Sequence, residues 1–255
     1  MVPLPLPSVR SSARLERLRV GHPDGACTTL HVASYHRGSF APRLVALRTP
    51  APLVRWCEGY AVQHALVGGF FTRPGARPLG QLVVGGEQLP SVPFDSPWDD
   101  VRACLHIRGD AVWIARRNRL GAAPAGDLLQ AGPLLVAEGR SVIDGSDGEG
   151  FSAGSRQFDS DITVGRYPRA ALAIAGDKLL AVACDGRSDR DSGMTLGELA
   201  DSLVALGAKY ALNLDGGGST SLVHEGRLRN RPREAHGIDL LDGRPVATAV
   251  VFEER

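Results

Sequence analysis

The sequence predicts a single α+β domain with many strands and few helices. Three observations predict it. Short apolar or alternating runs recur through the 255 residues, while few stretches carry helical spacing. Glycine is high, at 31 residues, and aromatics are low, at 5%, which suits a loop-rich α+β protein better than a helical bundle. No internal repeat and no long linker divides the chain, so one domain over residues 14–255 is expected behind a loosely attached tail of residues 1–13.

The elements follow in order. Thr28 to Tyr35 alternates as a strand, with Arg43 to Arg48 as its expected partner. Leu53 to Tyr60 reads as a short helix, because Pro52 is well placed at a helix start. Gln63 to Val67 is a strand that ends on Gly68-Gly69-Phe70-Phe71. Gln81 to Val84, Val101 to Ile107 and Ala111 to Arg116 are strands; the tripeptide Arg108-Gly109-Asp110 between the last two is a hairpin turn rather than an adhesion motif. Leu128 to Val136 is apolar but broken by Gly132-Pro133, and residues 139–161 are Gly/Ser/Asp-rich and predict a mobile loop. Ala170 to Ile174 and Leu179 to Ala183 flank Gly176-Asp177 as a second hairpin. Thr195-Leu-Gly-Glu198 is a capping-box pattern, followed by apolar residues at Leu196, Leu199, Ala200, Leu203 and Leu206 on one helical face, with Gly207 as the stop. Val246 to Phe252 closes the chain as an apolar strand.

Charge and cysteine usage bound the function. A net charge of +1 provides no broad field for nucleic acid or a membrane surface. No run of about 18 apolar residues exists, and Pro3, Pro5 and Pro7 interrupt the N-terminal stretch where a secretory signal would need continuity. Cys27, Cys57, Cys104 and Cys184 are scattered without a Cys-x-x-Cys pair, which argues against zinc. They predict free thiols in a cytoplasmic protein, with disulfides as the alternative.

The capped helix leads into Tyr210 to Leu214, an apolar strand, and the strand delivers Asp215, Gly216, Gly217, Gly218, Ser219, Thr220 and Ser221. A carboxylate at a strand end followed by backbone without side chains lets a ligand approach bare N–H groups, with hydroxyls beyond to complete the hydrogen bonding. Other motifs fail on context. Gly150-Phe-Ser152-Ala-Gly154 matches a nucleophile elbow but lacks a preceding strand, and Gly216 to Thr220 lacks the Gly-Lys-Ser/Thr of a phosphate-binding loop. Asp185, Asp189 and Asp191 could gather calcium, though without EF-hand spacing. His64 reads as a packed histidine, and Arg169, at a strand entry, could clamp a phosphate.

Several separated segments line up with one family. Val67-Gly-Gly-Phe-Phe71, Gln130-Ala-Gly-Pro-Leu-Leu-Val136, Arg169-Ala-Ala-Leu-Ala173, Val182-Ala-Cys-Asp-Gly-Arg187, Gly193-Met-Thr-Leu196, Ala211-Leu-Asn-Leu-Asp-Gly-Gly-Gly-Ser219 and Asn230-x-Pro232 resemble the phosphodiester glycosidase family, in its order. Val67 stands where that family has Asn, and Ala173 where it usually has Gly. The resemblance implies an α+β fold with a mixed β-sheet, and hydrolysis of a sugar-1-phosphodiester at the glycosidic bond, giving free sugar and a phosphomonoester.

Such a reaction needs donors around the phosphate and a carboxylate facing the anomeric carbon. The amides of Gly216 to Ser219, with Arg169, are the candidates for the first role, and Asp215 and Asp185 for the second. Gly68, Gly69 and Thr220 join the expected substrate-binding set, and Val67 is expected to line or abut it. The expected partner is a small sugar-phosphodiester or glycan, with no cofactor required and a divalent cation such as calcium left open. Two rivals remain: a non-catalytic sugar-phosphate or glycan binder, and a metal-assisted phosphodiesterase cleaving the P–O bond.

Overall fold

In the computed structural model of the protein, residues 13–72, 75–144 and 165–255 are described. The expected tail up to residue 12, most of the expected 139–161 loop and Gly150-Phe-Ser152-Ala-Gly154 lie outside the described residues.

The central element is a seven-stranded sheet in the order Arg14–Gly21, Cys27–His36, Lys178–Cys184, Arg169–Ala175, Tyr210–Asn213, Leu134–Ala137, Arg140–Ser141. Its middle strands are apolar throughout because both faces are covered. Alternate residues separate cleanly. Ala171, Ala173, Leu180 and Val182 pack with Leu199, Ala200 and Leu203 of the Leu196–Ala205 helix. Ala170, Leu172, Ile174, Leu179 and Ala181 belong to the larger core shared with Leu66, Leu105 and Val250 from the other two sheets. Ala173, at the family's glycine position, is fully enclosed beneath the helix. Its methyl fills core space there.

The helix carries the expected capping box: Thr195 Oγ1 accepts the Glu198 N–H at 3.1 Å, and Glu198 Oε2 accepts the Thr195 N–H at 2.9 Å. Gly207, at φ +84°, ends it in the left-handed region.

A five-stranded sheet runs Arg227–Leu228, Leu222–His224, His64–Val67, Pro245–Glu254, Phe40–Pro52. Another runs Glu87–Gln88, Leu82–Val84, Asp127–Gln130, Ala103–Arg108, Ala111–Arg116. Every ladder between these strands is antiparallel, where mixed sheets were expected; the parallel pairing is an isolated bridge between Leu79 and Val92.

Two pairings depart from the simplest reading. Cys27–His36 pairs with Arg14–Gly21 and Lys178–Cys184, while Phe40–Pro52 pairs with Pro245–Glu254 in a different sheet. The short Arg37–Ser39 connection hands the chain from one sheet to another instead of closing a hairpin. The Leu128 to Val136 run likewise divides at Gly132-Pro133 into strands of two sheets.

All four cysteines are free, and Cys57, Cys104 and Cys184 are buried. Among the described residues no helix is long and apolar enough to cross a membrane.

Candidate active site

Two strand ends meet where the sequence placed its candidate loop. The His64–Val67 strand runs out into Gly68-Gly69, and the Tyr210–Asn213 strand continues through Leu214 to Asp215. Asp215 N–H donates to Gly68 O at 3.0 Å, and Val67 N–H donates to Ser221 O at 2.9 Å, so the two segments are stitched on both sides of the loop. Gly68 is glycine because of close approach. A Cβ there would lie 2.3 Å from Thr248 Oγ1 and 2.8 Å from the Thr248 carbonyl carbon. The same hydroxyl accepts the Gly69 N–H at 2.9 Å. The side chain of Val67 is fully enclosed in the main core. Only its backbone belongs to the site, so the expected role in contacting substrate is corrected to packing.

The glycine loop spends most of its amides on itself. Gly216 N–H donates to Asp215 Oδ1 at 2.9 Å. Gly217 N–H donates to Pro168 O at 2.8 Å, Ser219 N–H to Gly216 O at 3.1 Å, and Thr220 N–H to Gly217 O at 3.2 Å. These bonds close a short 3₁₀ turn over Gly217–Ser219, with Gly217 at φ +60°. The expected four-amide phosphate cradle therefore reduces to Gly218, whose N–H donates to no group among the described residues. Ser219 and Thr220 are 0% exposed, which puts their hydroxyls inside the protein instead of on a binding surface. The chain from Asn230 to Arg244 lies over the loop: Asn230 bridges Thr220 O and Leu222 N–H, and Arg244 N–H donates to Gly218 O.

Charged groups surround this turn. Asp215 and Gly216 are half-buried, as is Arg187. A Cβ on Gly217 would lie 3.3 Å from an Arg187 guanidinium nitrogen, so that head group is packed directly on the loop. Arg187 Nη1 donates to Arg233 O at 2.9 Å and the guanidinium lies 5.5 Å from the Tyr167 ring centre. On the other flank, a Cβ on Gly218 would lie 3.0 Å from Glu234 Oε1, a carboxylate ion-paired with Arg244. Arg187 and Glu234 were not singled out from the sequence for these roles. Arg187 carries one signal: it follows Asp185-Gly186 and takes a left-handed backbone, φ +59°, unusual for a side-chain-bearing residue.

Two expected catalytic residues have other occupations. Asp185 is 3% exposed; its Oδ2 meets His31 Nε2 at 3.0 Å and its Oδ1 accepts the Arg231 N–H at 2.6 Å. It fastens the 230s segment to the central sheet. Arg169 is also buried, donating through Nε to Met194 O at 2.6 Å and through Nη2 to Gly165 O at 3.1 Å. Burial pushes its pKa down to about 10, which still leaves it charged at neutral pH. These bonds make Arg169 a brace between loops.

Asp191 is held in the neighbouring loop. Asp191 accepts from Thr29 N–H at 2.8 Å, from Thr29 Oγ1 at 2.7 Å and from Arg19. Among the described residues, no three His, Cys, Asp or Glu side chains gather in a way that would hold a metal ion.

A family profile described as phosphodiester glycosidase matches residues 60–253. Two solved structures share the fold. The catalytic domain of zebrafish N-acetylglucosamine-1-phosphodiester α-N-acetylglucosaminidase, solved auto-inhibited by its pro-peptide, aligns with a TM-score of 0.73 and 19% identity over 96% of this chain and 83% of its own. A hypothetical protein from Synechocystis aligns with a TM-score of 0.66 and 19% identity over 94% of this chain. The present chain spans 62% of that Synechocystis protein's length. Curated proteins give no match.

Proposed function

The chain belongs to the phosphodiester glycosidase family, and on that premise we propose that it hydrolyses the glycosidic bond of a sugar-1-phosphodiester, releasing free sugar and a phosphomonoester. One observation carries the reading. Asp215, half-buried, stands at the meeting of two strand ends while the Arg187 guanidinium packs on the adjoining Gly217. The pairing suits the charge that develops as the C–O bond breaks: positive on the sugar ring, negative on the departing phosphate. Asp215 is assigned to the anomeric carbon, with its Oδ1 orientation set by the Gly216 N–H. Arg187, with the Gly218 N–H, is assigned to the phosphate. A phosphate leaving group departs readily with its own charge, so these groups need not include a strong general acid.

The test is hydrolysis of a methyl sugar-1-phosphodiester in ¹⁸O-labelled water. Label in free sugar, with methyl phosphate as co-product, supports glycosidic cleavage. Sugar-1-phosphate and methanol would identify a phosphodiesterase instead. Saturable binding without turnover would identify a binding protein.

A further inference from the structure

A second groove lies at the far end of the strand that leads to the candidate site. His64 opens the strand and Gly68 follows it, so the two ends are separated by about 13 Å of extended chain. A cavity of about 600 Å³ opens beside His64, lined also by Trp56, Tyr60, Gln63, Arg43 and Glu253. A neighbouring cavity of about 530 Å³ shares Ala61, Val62 and Gln63 with it.

Its floor is aromatic. The rings of Trp56 and Tyr60 lie 5.0 Å apart, tilted by 31°, one helical turn apart on Leu53–Gly59 and its cap. Tyr60 is 66% exposed although it is one of the chain's few large aromatics. The turn that holds it is fixed: Val62 N–H donates to Cys57 O at 2.9 Å, Ala61 N–H to Glu58 O at 3.4 Å, and Ala61 takes φ +55°. Tyr60 stands clear of the core, while Trp56 is half-buried and packs in part against it, and Leu53 and Cys57 enter the core from the same helix.

The polar groups around the platform complement it. His64 is 8% exposed and lines the cavity. Its Nδ1 accepts the Glu225 N–H at 3.5 Å. Burial and the neighbouring His224 push its pKa down to about 4, so the ring is neutral at pH 7. With Nδ1 accepting, the ring proton resides on Nε2, a donor with no partner among the described residues. At the wall the guanidinium of Arg43 supplies donors and the carboxylate of its ion-pair partner Glu253 an acceptor.

We propose that this groove is a second binding site, for an oligosaccharide of flat, equatorially substituted pyranose rings, whose apolar faces stack on Trp56 and Tyr60 while their hydroxyls bond His64, Gln63 and the Arg43–Glu253 pair. Aromatic faces match the C–H face of such a ring, and the donors and acceptors of His64, Gln63 and the Arg43–Glu253 pair match its rim. The ligand needs no phosphate, because the groove's floor is uncharged. The site is independent of whether Asp215 catalyses anything.

The probes are cellotetraose and chitotetraose, titrated by calorimetry into the full chain. Saturable binding of at least one is expected, weakened about tenfold or more in Tyr60→Ala, and unchanged in Asp215→Asn. Tyr60 is exposed, so its removal leaves folding intact; Gln63→Ala, a second exposed position, gives a smaller weakening in the same direction. Absence of binding by both tetraoses overturns the proposal. So does binding that survives Tyr60→Ala, or that fails in Asp215→Asn, since the sugar would then occupy the Asp215 site.

Discussion

Three adjacent glycines meet three different environments, so alanine at each position should produce a ranked series. At Gly216 the backbone is extended, φ −126°, and alanine has no torsional objection. Its Cβ, however, would lie 2.8 Å from Pro168 O, a backbone atom already held by the Gly217 N–H. Neither side can yield, and overpacking of this kind costs about 1–3 kcal/mol. At Gly217 the nearest atoms are the Arg187 guanidinium at 3.3 Å, which can swing aside, but φ is +60°, a penalty of about 1–2 kcal/mol for alanine. At Gly218 φ is ordinary and the contacts at 3.0 Å are the ends of Glu234 and Leu240 side chains. Against each cost stands a common gain of about 0.4–1 kcal/mol from the stiffer unfolded chain. The net expectation is a loss of about 1–1.5 kcal/mol for Gly216→Ala, about 0.5–1 for Gly217→Ala, and little for Gly218→Ala. For a chain of this length, a loss of that size at Gly216 lowers the melting temperature by roughly 2–6 °C. Urea unfolding followed by circular dichroism measures the series. If Gly218→Ala is the most damaging, or Gly216→Ala as stable as the parent, the reading of this loop as internally packed is wrong.

Other substitutions separate chemistry from architecture. Asp215→Asn keeps an oxygen for the Gly216 N–H, so turnover of a sugar-1-phosphodiester should vanish while the melting temperature stays within a few degrees; retained turnover removes Asp215 from the mechanism. Asp185→Ala strands His31 and the Arg231 N–H in a buried place and should cost about 3 kcal/mol in urea unfolding; an unchanged midpoint would contradict its role as a fastener. His64, with a folded pKa of about 4 against an ordinary value of 6.5, gives a pH test. Below pH 6.5 the unfolded chain takes a proton that the folded chain refuses, so this contribution to stability is complete above that pH and falls towards pH 4. His64→Gln should flatten that part of the midpoint-against-pH curve between pH 7 and 4; parallel curves for the two proteins would refute the assignment.

The fold was readable wherever a single local rule decides. Thr195 and Glu198 cap a helix by reciprocal hydrogen bonds that their spacing alone permits, and the Ala170 to Ala183 hairpin follows from two apolar runs around a Gly-Asp turn. Pairing across the chain was less readable. Cys27–His36 joins Lys178–Cys184, far along the sequence, because the double covering of the central sheet decides neighbours, not adjacency in the chain. Arg14–Gly21 escaped notice because, as an edge strand, it carries four charges in eight residues, at Arg14, Glu16, Arg17 and Arg19, and little apolar signal.

The candidate site divides along the same line. That Gly68-Gly69 and Asp215 would come together was foreshadowed by two strands each ending on glycine, and Asp215 N–H to Gly68 O closes them. What each residue does there was not legible, because a motif records residue type while function depends on which partners remain available. Asp185 and Asp215 look equivalent in sequence, both acids at the end of buried strands, yet Asp185 has both oxygens committed to His31 and Arg231. Arg169 and Arg187 invert in the same manner: the first braces buried carbonyls of Met194 and Gly165, and the second, half-buried, packs on the glycine turn. Glycines mislead for the converse reason. A missing side chain is equally required by a ligand and by a neighbouring backbone, and at Gly68 and Gly216 the neighbour is Thr248 and Pro168. The discriminating variable is therefore the unspent hydrogen-bonding capacity at a reachable position, a property of three-dimensional partners. Arg187, packed on the glycine turn, and the Gly218 amide are the groups to test beside Asp215.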